Sequence, residues 1–484
     1  MGSWIRTACV LALLVPAPPA LAGEADGLAD RLQRALRAPA LKGARLGVLV
    51  ETADGRELFA RSPDRALVPA SNLKVLTAMA ALSALGPTHR LVTEVRATAE
   101  PDAGGAVEAL YVRGGGDPSL TSEQWWRLAA DLRARGLRRV RGDLVLDDSL
   151  FDRKRWHPSW GRPSARAYHA PVGALSANYG AFEVWASPGA AAGDPVAVRV
   201  DPPVSYLRIV NRARTGPAGK GARLAVDRQA SGEHEEVVVT GTLPAGGETR
   251  RFARSVRDPA RYAAAVFRMQ LAGLGVEVGG GVRRGEAPAH AVLLHEFEGF
   301  PADEVVRRFM KWSNNVIGES LVKLLGARAT GRGSWESGLP AVRRELASLG
   351  LPLNGARIED GSGLSYENRV SPRLLVAALR QADGSFDFGP EFVTGLPIAA
   401  ADGTLEKRAE GAAGAVRAKT GLLTRVTGLS GFARLPGGRA VVFSVLANGY
   451  RGDDRQAMDA LDGFVAALVE PVPAALSAST AGER

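Results

Sequence analysis

Two β-hairpins near opposite ends of the chain place the strongest constraint on its fold. The first joins Arg45–Thr52 to Glu57–Ala60 through a turn at Gly55, and the second joins Gly428–Leu435 to Ala440–Ala447. Alternating or continuous apolar residues on both sides of a glycine turn are typical of hairpins. We expect the two hairpins to share one antiparallel sheet covered by helices, with the middle of the chain inserted between them.

The middle and last parts of the chain differ in their predicted secondary structure. From about Leu91 to His295, short strand-like runs occur at 107–112, 143–146, 196–200 and 237–240, together with helical patterns at 122–135 and 258–274. From Ala302 to Leu325 the pattern is helical but interrupted at 313–315, and a further amphipathic helix is predicted at 454–468. With 484 residues, about three domains are expected. The sequence therefore predicts a multi-domain α/β protein with β-rich insertions.

The N-terminus has the features of an export signal. Arg6 precedes an apolar run from Ala8 to Val15, and Ala20-Leu21-Ala22 is a small-residue cleavage site. We therefore assign residues 1–22 to a signal peptide and expect a periplasmic protein. Neither this run nor any later stretch approaches the roughly 18 apolar residues of a membrane helix, so no stable membrane anchor is expected.

Cysteine usage and charge narrow the function further. The only cysteine, Cys9, lies in the predicted signal, so thiol catalysis, disulfides and thiolate metal sites are excluded from the mature chain. The net charge of +10 favours anionic partners. Because the basic residues are scattered and no nucleic-acid motif is present, an anionic cell-envelope polymer is a better partner than nucleic acid. A purely solubilising role of the charge remains an alternative.

One predicted helix carries a serine and a lysine that together could perform acyl transfer. It runs from Val68 to Leu82, with Ser71 at its cap and Lys74 three residues later, and Gly86 ends it. This spacing places the hydroxyl and the amine on one face of the first turn. A buried lysine whose pKa falls towards neutrality can take the serine proton and make the hydroxyl a nucleophile.

The Ser-x-x-Lys motif alone is weak evidence for catalysis, because it recurs at Ser320–Lys323 and because an ordinary helix-capping serine would explain Ser71 equally well. Two further motifs change this. Ser313-Asn314-Asn315 interrupts two predicted helices, although Ser-x-Asn also recurs at Ser176–Asn178, and Lys419-Thr420-Gly421 occurs once, on a predicted strand before the last hairpin. Their order and structural contexts match the penicillin-recognising serine enzymes.

With these motifs, the chain resembles the type-4 penicillin-binding proteins, which are exported D-alanyl-D-alanine carboxypeptidases and endopeptidases. The resemblance also includes Gly114–Leu120, Gly142–Asp148, Ala170–Ser176 and Asp360–Ser365. It implies a β-lactamase/transpeptidase-like domain at 23–90 and 296–484. Two inserted β-rich domains are then expected, one at 91–116 and 193–295 and the other at 117–192.

The resemblance implies a role for each motif residue. Ser71 would be the acylated nucleophile, Lys74 its general base and Ser313 the proton relay to the leaving D-alanine. Asn315 would hold the amide on the acyl side, and Lys419 would both lower the pKa of Lys74 and help to bind the substrate carboxylate.

The strand after Lys419 would bind substrate through Thr420, Gly421 and Leu422. Thr420 would hydrogen-bond the carboxylate, and the backbone N–H groups of Ser71 and Leu422 would form the oxyanion hole. Leu422 and Arg425 depart from the family, in which a hydroxyl residue and a glycine usually occupy these positions. The loss of that hydroxyl puts the preference for a terminal carboxylate in doubt.

Other conspicuous residues have plainer interpretations. Asp147 could bind the free amine of a stem peptide, although a turn at a strand end explains it as well. The six histidines show neither the helical pairing nor the carboxylate neighbours of a metal site, so no metal and no cofactor are expected.

The main hypothesis is thus a serine DD-peptidase that acts on peptidoglycan stem peptides and is blocked covalently by β-lactams. A serine β-lactamase and a catalytically decayed wall-binding scaffold are the alternatives. The balance of carboxypeptidase and endopeptidase activity, the preferred stem-peptide residue, the oligomeric state and the roles of the inserted domains are left open by the sequence.

Overall fold

A computed structural model describes residues 19–471 of the chain. Most of the predicted signal peptide, residues 1–18, lies outside this range. Within it the α-helices are α1 (Pro19–Ala35), α2 (Lys74–Leu85), α3 (Ser122–Ala134), α4 (Pro259–Gly273), α5 (Ala302–Trp312), α6 (Asn315–Thr330), α7 (Trp335–Ser348), α8 (Pro372–Asp383), α9 (Gly389–Thr394) and α10 (Asp454–Val469).

The strands before the second hairpin are β1 (Arg45–Thr52), β2 (Glu57–Arg61), β3 (Arg90–Ala97), β4 (Ala106–Val107), β5 (Leu110–Arg113), β6 (Arg139–Val140), β7 (Leu144–Asp147), β8 (Ala181–Ser187), β9 (Ala197–Asp201), β10 (Leu207–Asn211), β11 (Arg214–Gly216), β12 (Arg223–Ser231), β13 (His234–Pro244), β14 (Arg250–Ser255), β15 (Glu277–Val278), β16 (Val282–Arg284) and β17 (Val292–Pro301). The last three are β18 (Val416–Leu423), β19 (Val426–Arg434) and β20 (Ala440–Asn448). No helix in the described part of the chain has the length and apolarity needed to cross a membrane.

The two terminal hairpins form one five-stranded antiparallel sheet, as predicted. Its strand order is β18-β19-β20-β1-β2. β1 pairs with β20 along its whole length, from Arg45 opposite Asn448 to Thr52 opposite Val441. The N- and C-terminal parts of the chain are therefore joined by main-chain hydrogen bonds at the centre of the sheet.

Alternation along β1 explains why helices cover both faces of this sheet. Val48 and Val50 belong to a core formed with α1 and α10, whereas Leu49 belongs to a core formed with α2, α5, α6 and α8. Successive strand residues point to opposite faces, so a run that is apolar throughout requires cover on both sides. The second of these cores holds the helices that carry Ser71 and Asn315.

The inserted segment has a hydrophobic core of its own, whose buried residues run from Val95 to Phe297. It leaves and rejoins the rest of the chain through β3 and β17, which pair antiparallel. The predicted boundary at 296 thus falls inside β17, and the outer domain boundaries remain a prediction.

Strand pairing does not follow the predicted internal division of this segment. A unit at 117–192 would remove β7 from the sheet β16-β7-β5-β3-β17 and β8 from the sheet β14-β8-β9. The physical reason is that β5 and β7 pair in parallel, so α3 and β6 must form the crossover between them.

Candidate active site

The turn that carries Ser71 presents its hydroxyl to Lys74. Residues Ala70–Leu73 form a 3-10 turn, and the α-helix begins only at Lys74. The predicted capping role of Ser71 is therefore wrong, because its side chain makes no cap hydrogen bond. Instead, the Ser71 Oγ lies 2.9 Å from the Lys74 Nζ.

Lys74 is fully buried, and its amine has three oxygen neighbours. Besides the Ser71 Oγ, the Nζ lies 2.8 Å from the Asn315 Oδ1 and 2.5 Å from the carbonyl oxygen of Ser362. A carbonyl or amide oxygen can only accept hydrogen bonds. A neutral amine would therefore direct its two N–H groups to Asn315 and Ser362, which leaves its lone pair for the hydroxyl of Ser71.

Burial is the main reason why Lys74 can be neutral. It lowers the pKa of Lys74 to about 7, although the carboxyl groups of Asp360 and Glu319 act in the opposite direction. The predicted repulsion between Lys74 and Lys419 affects the pKa of Lys419. Burial, and to a smaller extent the charge of Lys74, lower the pKa of Lys419 well below its usual value. Desolvation, rather than Lys419, is thus the leading cause at Lys74.

Ser313 and Asn315 occupy the junction of α5 and α6. Ser313 has a left-handed backbone with φ of 56°, and it ends α5. Asn314 then caps α6 by accepting a hydrogen bond from the N–H of Ile317. This sharp junction lets Asn315 face Lys74 with its Oδ1, while its Nδ2 donates to the carbonyl of Tyr168 at 2.8 Å.

The predicted substrate-binding strand, β18, passes close to the serine turn. Lys419 is fully buried, with its Nζ 2.9 Å from the carbonyl oxygen of Thr420. A Cβ added to Gly421 would lie only 2.4 Å from the Asn72 Nδ2 and 2.8 Å from the Pro69 carbonyl oxygen. Glycine is required there because any side chain would push the strand away from the turn.

These elements meet at a cavity of about 640 Å³. Ser71, Ser313, Asn315 and Leu422 all line it. Leu422 is 46% exposed and presents an apolar side chain where the family usually has a hydroxyl. The cleft is therefore lined by residues of the Ser-x-x-Lys and Ser-x-Asn motifs and by Leu422, which directly follows Lys419-Thr420-Gly421.

The inserted segment supplies one wall of this cleft. Trp160 and Tyr168 line the cavity, and the indole N–H of Trp160 donates to the Asp360 carboxylate at 2.9 Å. Together with the bond from Asn315 to the Tyr168 carbonyl, this contact joins the inserted segment to a predicted catalytic residue and to Asp360.

Two buried carboxylates hold the loop whose carbonyl contacts Lys74. Glu319, one helical turn after Asn315, accepts hydrogen bonds from the backbone N–H groups of Gly361 and Ser362 and from the indole of Trp335. Asp360 accepts from the N–H groups of Gly363 and Ser365. The carbonyl of Ser362 is thereby fixed against the Lys74 amine.

Glu319 and Asp360 are the residues that sequence reasoning missed. Asp360 lies in a segment that contributed to the family resemblance without a role of its own. Glu319 follows Asn315 by four residues, so a helical projection would have placed both on one face. Burial raises the pKa of Glu319, while the N–H groups around it favour its ionised form.

Asp147 is not brought to this cleft. It lies in a separate cavity of about 550 Å³ with Arg284 and Arg332. Its Oδ1 accepts hydrogen bonds from the N–H and the hydroxyl of Ser149 at 3.0 and 2.6 Å. Asp147 thus forms a turn at the end of β7, which was the alternative to a role in binding the amine of a stem peptide.

The duplicate motifs also lie apart from the cleft. Lys323 donates to Asp152 and to the Lys154 carbonyl, and not to Ser320. Within the described part of the chain, Ser320 Oγ has no hydrogen-bond partner. Asn178 bonds Ser122 in the inserted segment.

The family of the chain follows from its similarity to known proteins. Residues 28–468 match the family described as D-Ala-D-Ala carboxypeptidase 3 (S13). The chain belongs to this family. It is 39% identical over 462 residues to a D-alanyl-D-alanine carboxypeptidase of an Actinomadura species, an alignment that covers 91% of this chain and 85% of the relative.

Solved structures give the same result for the fold. Penicillin-binding protein 4 from Haemophilus influenzae superposes with a TM-score of 0.77 at 25% identity, covering 90% of this chain and 97% of that one. A second structure of that protein, in complex with a β-lactam, superposes with a TM-score of 0.73 at 26% identity and covers 90% and 98% of the two chains. The predicted family, fold class and serine DD-peptidase activity are thereby confirmed.

The pKa of Lys74 predicts how acylation depends on pH. A protonated amine has no lone pair for the Ser71 proton, so the rate constant for acylation by benzylpenicillin should rise about tenfold per pH unit below pH 7 and level off above it. Stopped-flow or fluorescent-penicillin labelling from pH 5.5 to 9 would measure this. A rate that is constant from pH 6 to 8 would contradict a neutral Lys74 base.

Replacing Glu319 should change both the rate and its pH dependence. Glu319→Gln keeps the size of the side chain but places an amide among N–H donors and removes a negative charge that raises the pKa of Lys74. We expect acylation to fall about tenfold, from one or two lost charge-assisted hydrogen bonds, and its pH midpoint to move downwards.

The matched control for this variant is Glu345→Gln, because Glu345 on α7 accepts a hydrogen bond from Ser83, which lies in the last turn of α2, at the opposite end of that helix from Lys74. It should leave the pH midpoint of acylation unchanged. An unchanged midpoint in Glu319→Gln would show that Glu319 only stabilises the loop and does not tune Lys74.

Proposed function

We propose that this DD-peptidase works through an acyl-enzyme on Ser71, with neutral Lys74 as the general base. The observation that carries this proposal is the set of three oxygen atoms around the Lys74 amine, because two of them can only accept. The remaining lone pair is aimed at the Ser71 hydroxyl. A base that is aligned in this way and has a pKa near neutrality is what serine activation requires.

In the acylation step, Lys74 takes the Ser71 proton as the Oγ attacks the carbonyl carbon of the penultimate D-alanine. The negative charge that develops on the carbonyl oxygen is stabilised by the backbone N–H groups of Ser71 and Leu422. Such donors contribute about 3 kcal/mol each in related chemistry. Asn315 meanwhile holds the amide on the acyl side of the substrate.

Collapse of this intermediate breaks the peptide bond to the terminal D-alanine. The proton now held by Lys74 passes through the Ser313 hydroxyl to the leaving nitrogen, so D-alanine departs as a neutral amine. Ser313 and Ser71 line the same cleft, which supports this relay. Water then attacks the ester with Lys74 again as base, which releases the shortened peptide and restores Ser71.

The proposed substrates are peptidoglycan stem peptides that end in D-alanyl-D-alanine. Lys419 and Thr420 would bind the terminal carboxylate, with Gly421 keeping β18 against the serine turn. A chain with a predicted signal peptide at residues 1–22 would meet this substrate in the periplasm. β-Lactams would acylate Ser71 in place of the peptide and act as covalent inhibitors.

Loss of the Ser71 hydroxyl tests this assignment directly. Ser71→Ala should abolish covalent labelling by fluorescent penicillin, while the midpoint of thermal unfolding changes little because this hydroxyl caps no helix. Ser320→Ala is the matched control from the second Ser-x-x-Lys motif and should label normally. Labelling that persists in Ser71→Ala but disappears in Ser320→Ala would overturn the choice of nucleophile.

The fate of the label separates the alternatives. A lasting label on the wild-type enzyme supports the peptidase, rapid loss of label supports a β-lactamase, and no label supports a decayed scaffold. Hydrolysis of a D-alanyl-D-alanine peptide by the same preparation completes the test.

Leu422 should weaken the preference for a free terminal carboxylate. The hydroxyl that the family usually places there would donate to this carboxylate, and a hydrogen bond to a charged group contributes about 1.5–3 kcal/mol. Arg425 does not replace it, because it lines the neighbouring cavity and is not among the residues that line the catalytic cleft. Leu422→Thr should therefore raise kcat/KM about tenfold more on a free D-Ala-D-Ala peptide than on a cross-linked dimer. Equal effects on both substrates would show that Leu422 does not set this preference.

A further inference from the structure

A third cavity, of about 460 Å³, opens beside the catalytic cleft and is lined by Arg45, Arg369 and Arg425. We call it the arginine groove. Tyr366 and Thr424 line both the groove and the catalytic cleft, so the two spaces are contiguous. A bound peptide could therefore extend from one into the other.

The arginines of the groove are not paired with carboxylates of the protein in the described part of the chain. Among residues 19–471, none of the three arginines forms an ion pair. The neighbouring carboxylate of Asp454 accepts hydrogen bonds from the backbone N–H of Arg425 and the hydroxyl of Tyr450. Glu367, two residues before Arg369, pairs with Arg357.

Two of the guanidinium groups are held in place by backbone carbonyl oxygens. Arg369 donates to the carbonyls of Tyr366 and Asn368 at 2.6 and 2.7 Å. Arg425 donates to the carbonyls of Tyr450 and Gly449 at 2.9 and 3.2 Å. Carbonyl oxygens orient a guanidinium without cancelling its charge, so the groove is built to receive an anion.

The position of the groove indicates which part of the substrate would supply that anion. Thr424 follows β18 four residues after Thr420, a distance of about 13 Å along an extended strand. The terminal carboxylate, expected at Thr420, cannot reach so far. The anion must belong to the part of the peptide that stays on the enzyme as the acyl group.

We propose that the arginine groove is a subsite for a free carboxylate on the acyl side of the stem peptide, on the fourth residue from the C-terminus. The proposal rests on the DD-peptidase mechanism above and adds a specificity-determining contact to it. Arg45, Arg369 and Arg425 would select peptides that carry this carboxylate over peptides in which it is amidated.

The test compares two synthetic peptides that both end in D-alanyl-D-alanine. They differ only at a γ-linked D-glutamyl residue, whose α-carboxylate is free in one and a carboxamide in the other. Exposed ion pairs contribute modestly, so the wild-type enzyme should favour the free acid about five- to tenfold in kcat/KM, and added salt should reduce this preference.

Substitutions in the groove should remove the preference. Arg45→Gln should reduce the ratio of the two kcat/KM values about threefold, and Arg45→Gln combined with Arg369→Gln should bring it close to one. The matched control is Arg434→Gln, because Arg434 is an exposed arginine at the opposite end of β19 from Val426. It should leave the ratio unchanged.

Covalent labelling by benzylpenicillin separates failure of this proposal from failure of the mechanism. If the enzyme labels normally but hydrolyses both peptides equally, the arginine groove is not a carboxylate subsite. The same conclusion follows if the double substitution lowers kcat/KM on both peptides by the same factor. Absence of labelling and of hydrolysis would instead contradict the proposed function.

Discussion

The site depends on the burial of one amine. Lys74 is removed from water by its own helix, by α5 and α6 and by the loop that contains Ser362, and this desolvation lowers its pKa to about 7. A lysine in water would remain protonated and could not accept a proton. The elements that carry Asn315 and Ser362 serve the amine in a second way, since their oxygen atoms determine where its lone pair points.

Burial of an amine is costly unless its N–H groups find acceptors, and this requirement explains the close packing around it. The loop at 360–365 approaches the serine turn so closely that a Cβ on Gly363 would lie 1.9 Å from the Ala70 carbonyl oxygen. Glu319 on α6 and Asp360, the first residue of this loop, fix the loop by accepting hydrogen bonds from its backbone N–H groups. The shared sheet keeps β18 in register with this assembly, so residues far apart in sequence meet to within hydrogen-bond distance.

Much of this architecture could be predicted from the sequence, because it depends on local patterns. Helices predicted at 122–135, 258–274 and 454–468 each occur within a residue of those bounds. The motif residues could be found because their spacing is local as well. The strand pairing inside the inserted segment could not, since β7 pairs in parallel with β5 across the crossover helix α3. Glu319 was missed for a related reason, as its partners come from a loop some forty residues later in the chain.

The charges of the site also indicate how a substrate would be held in register. Lys74 has Asp360 and Glu319 to offset its burial, whereas the groups near Lys419 that affect its pKa, Lys74 and Arg408, both lower it. Under the proposed mechanism, the terminal carboxylate of the substrate is the anion that Lys419 lacks. The arginine groove would take a second carboxylate beyond Leu423, the last residue of β18. Two carboxylates bound at separate points would prevent an extended peptide from sliding along the strand. The scissile carbonyl would then stay over Ser71, where Lys74 can accept the hydroxyl proton.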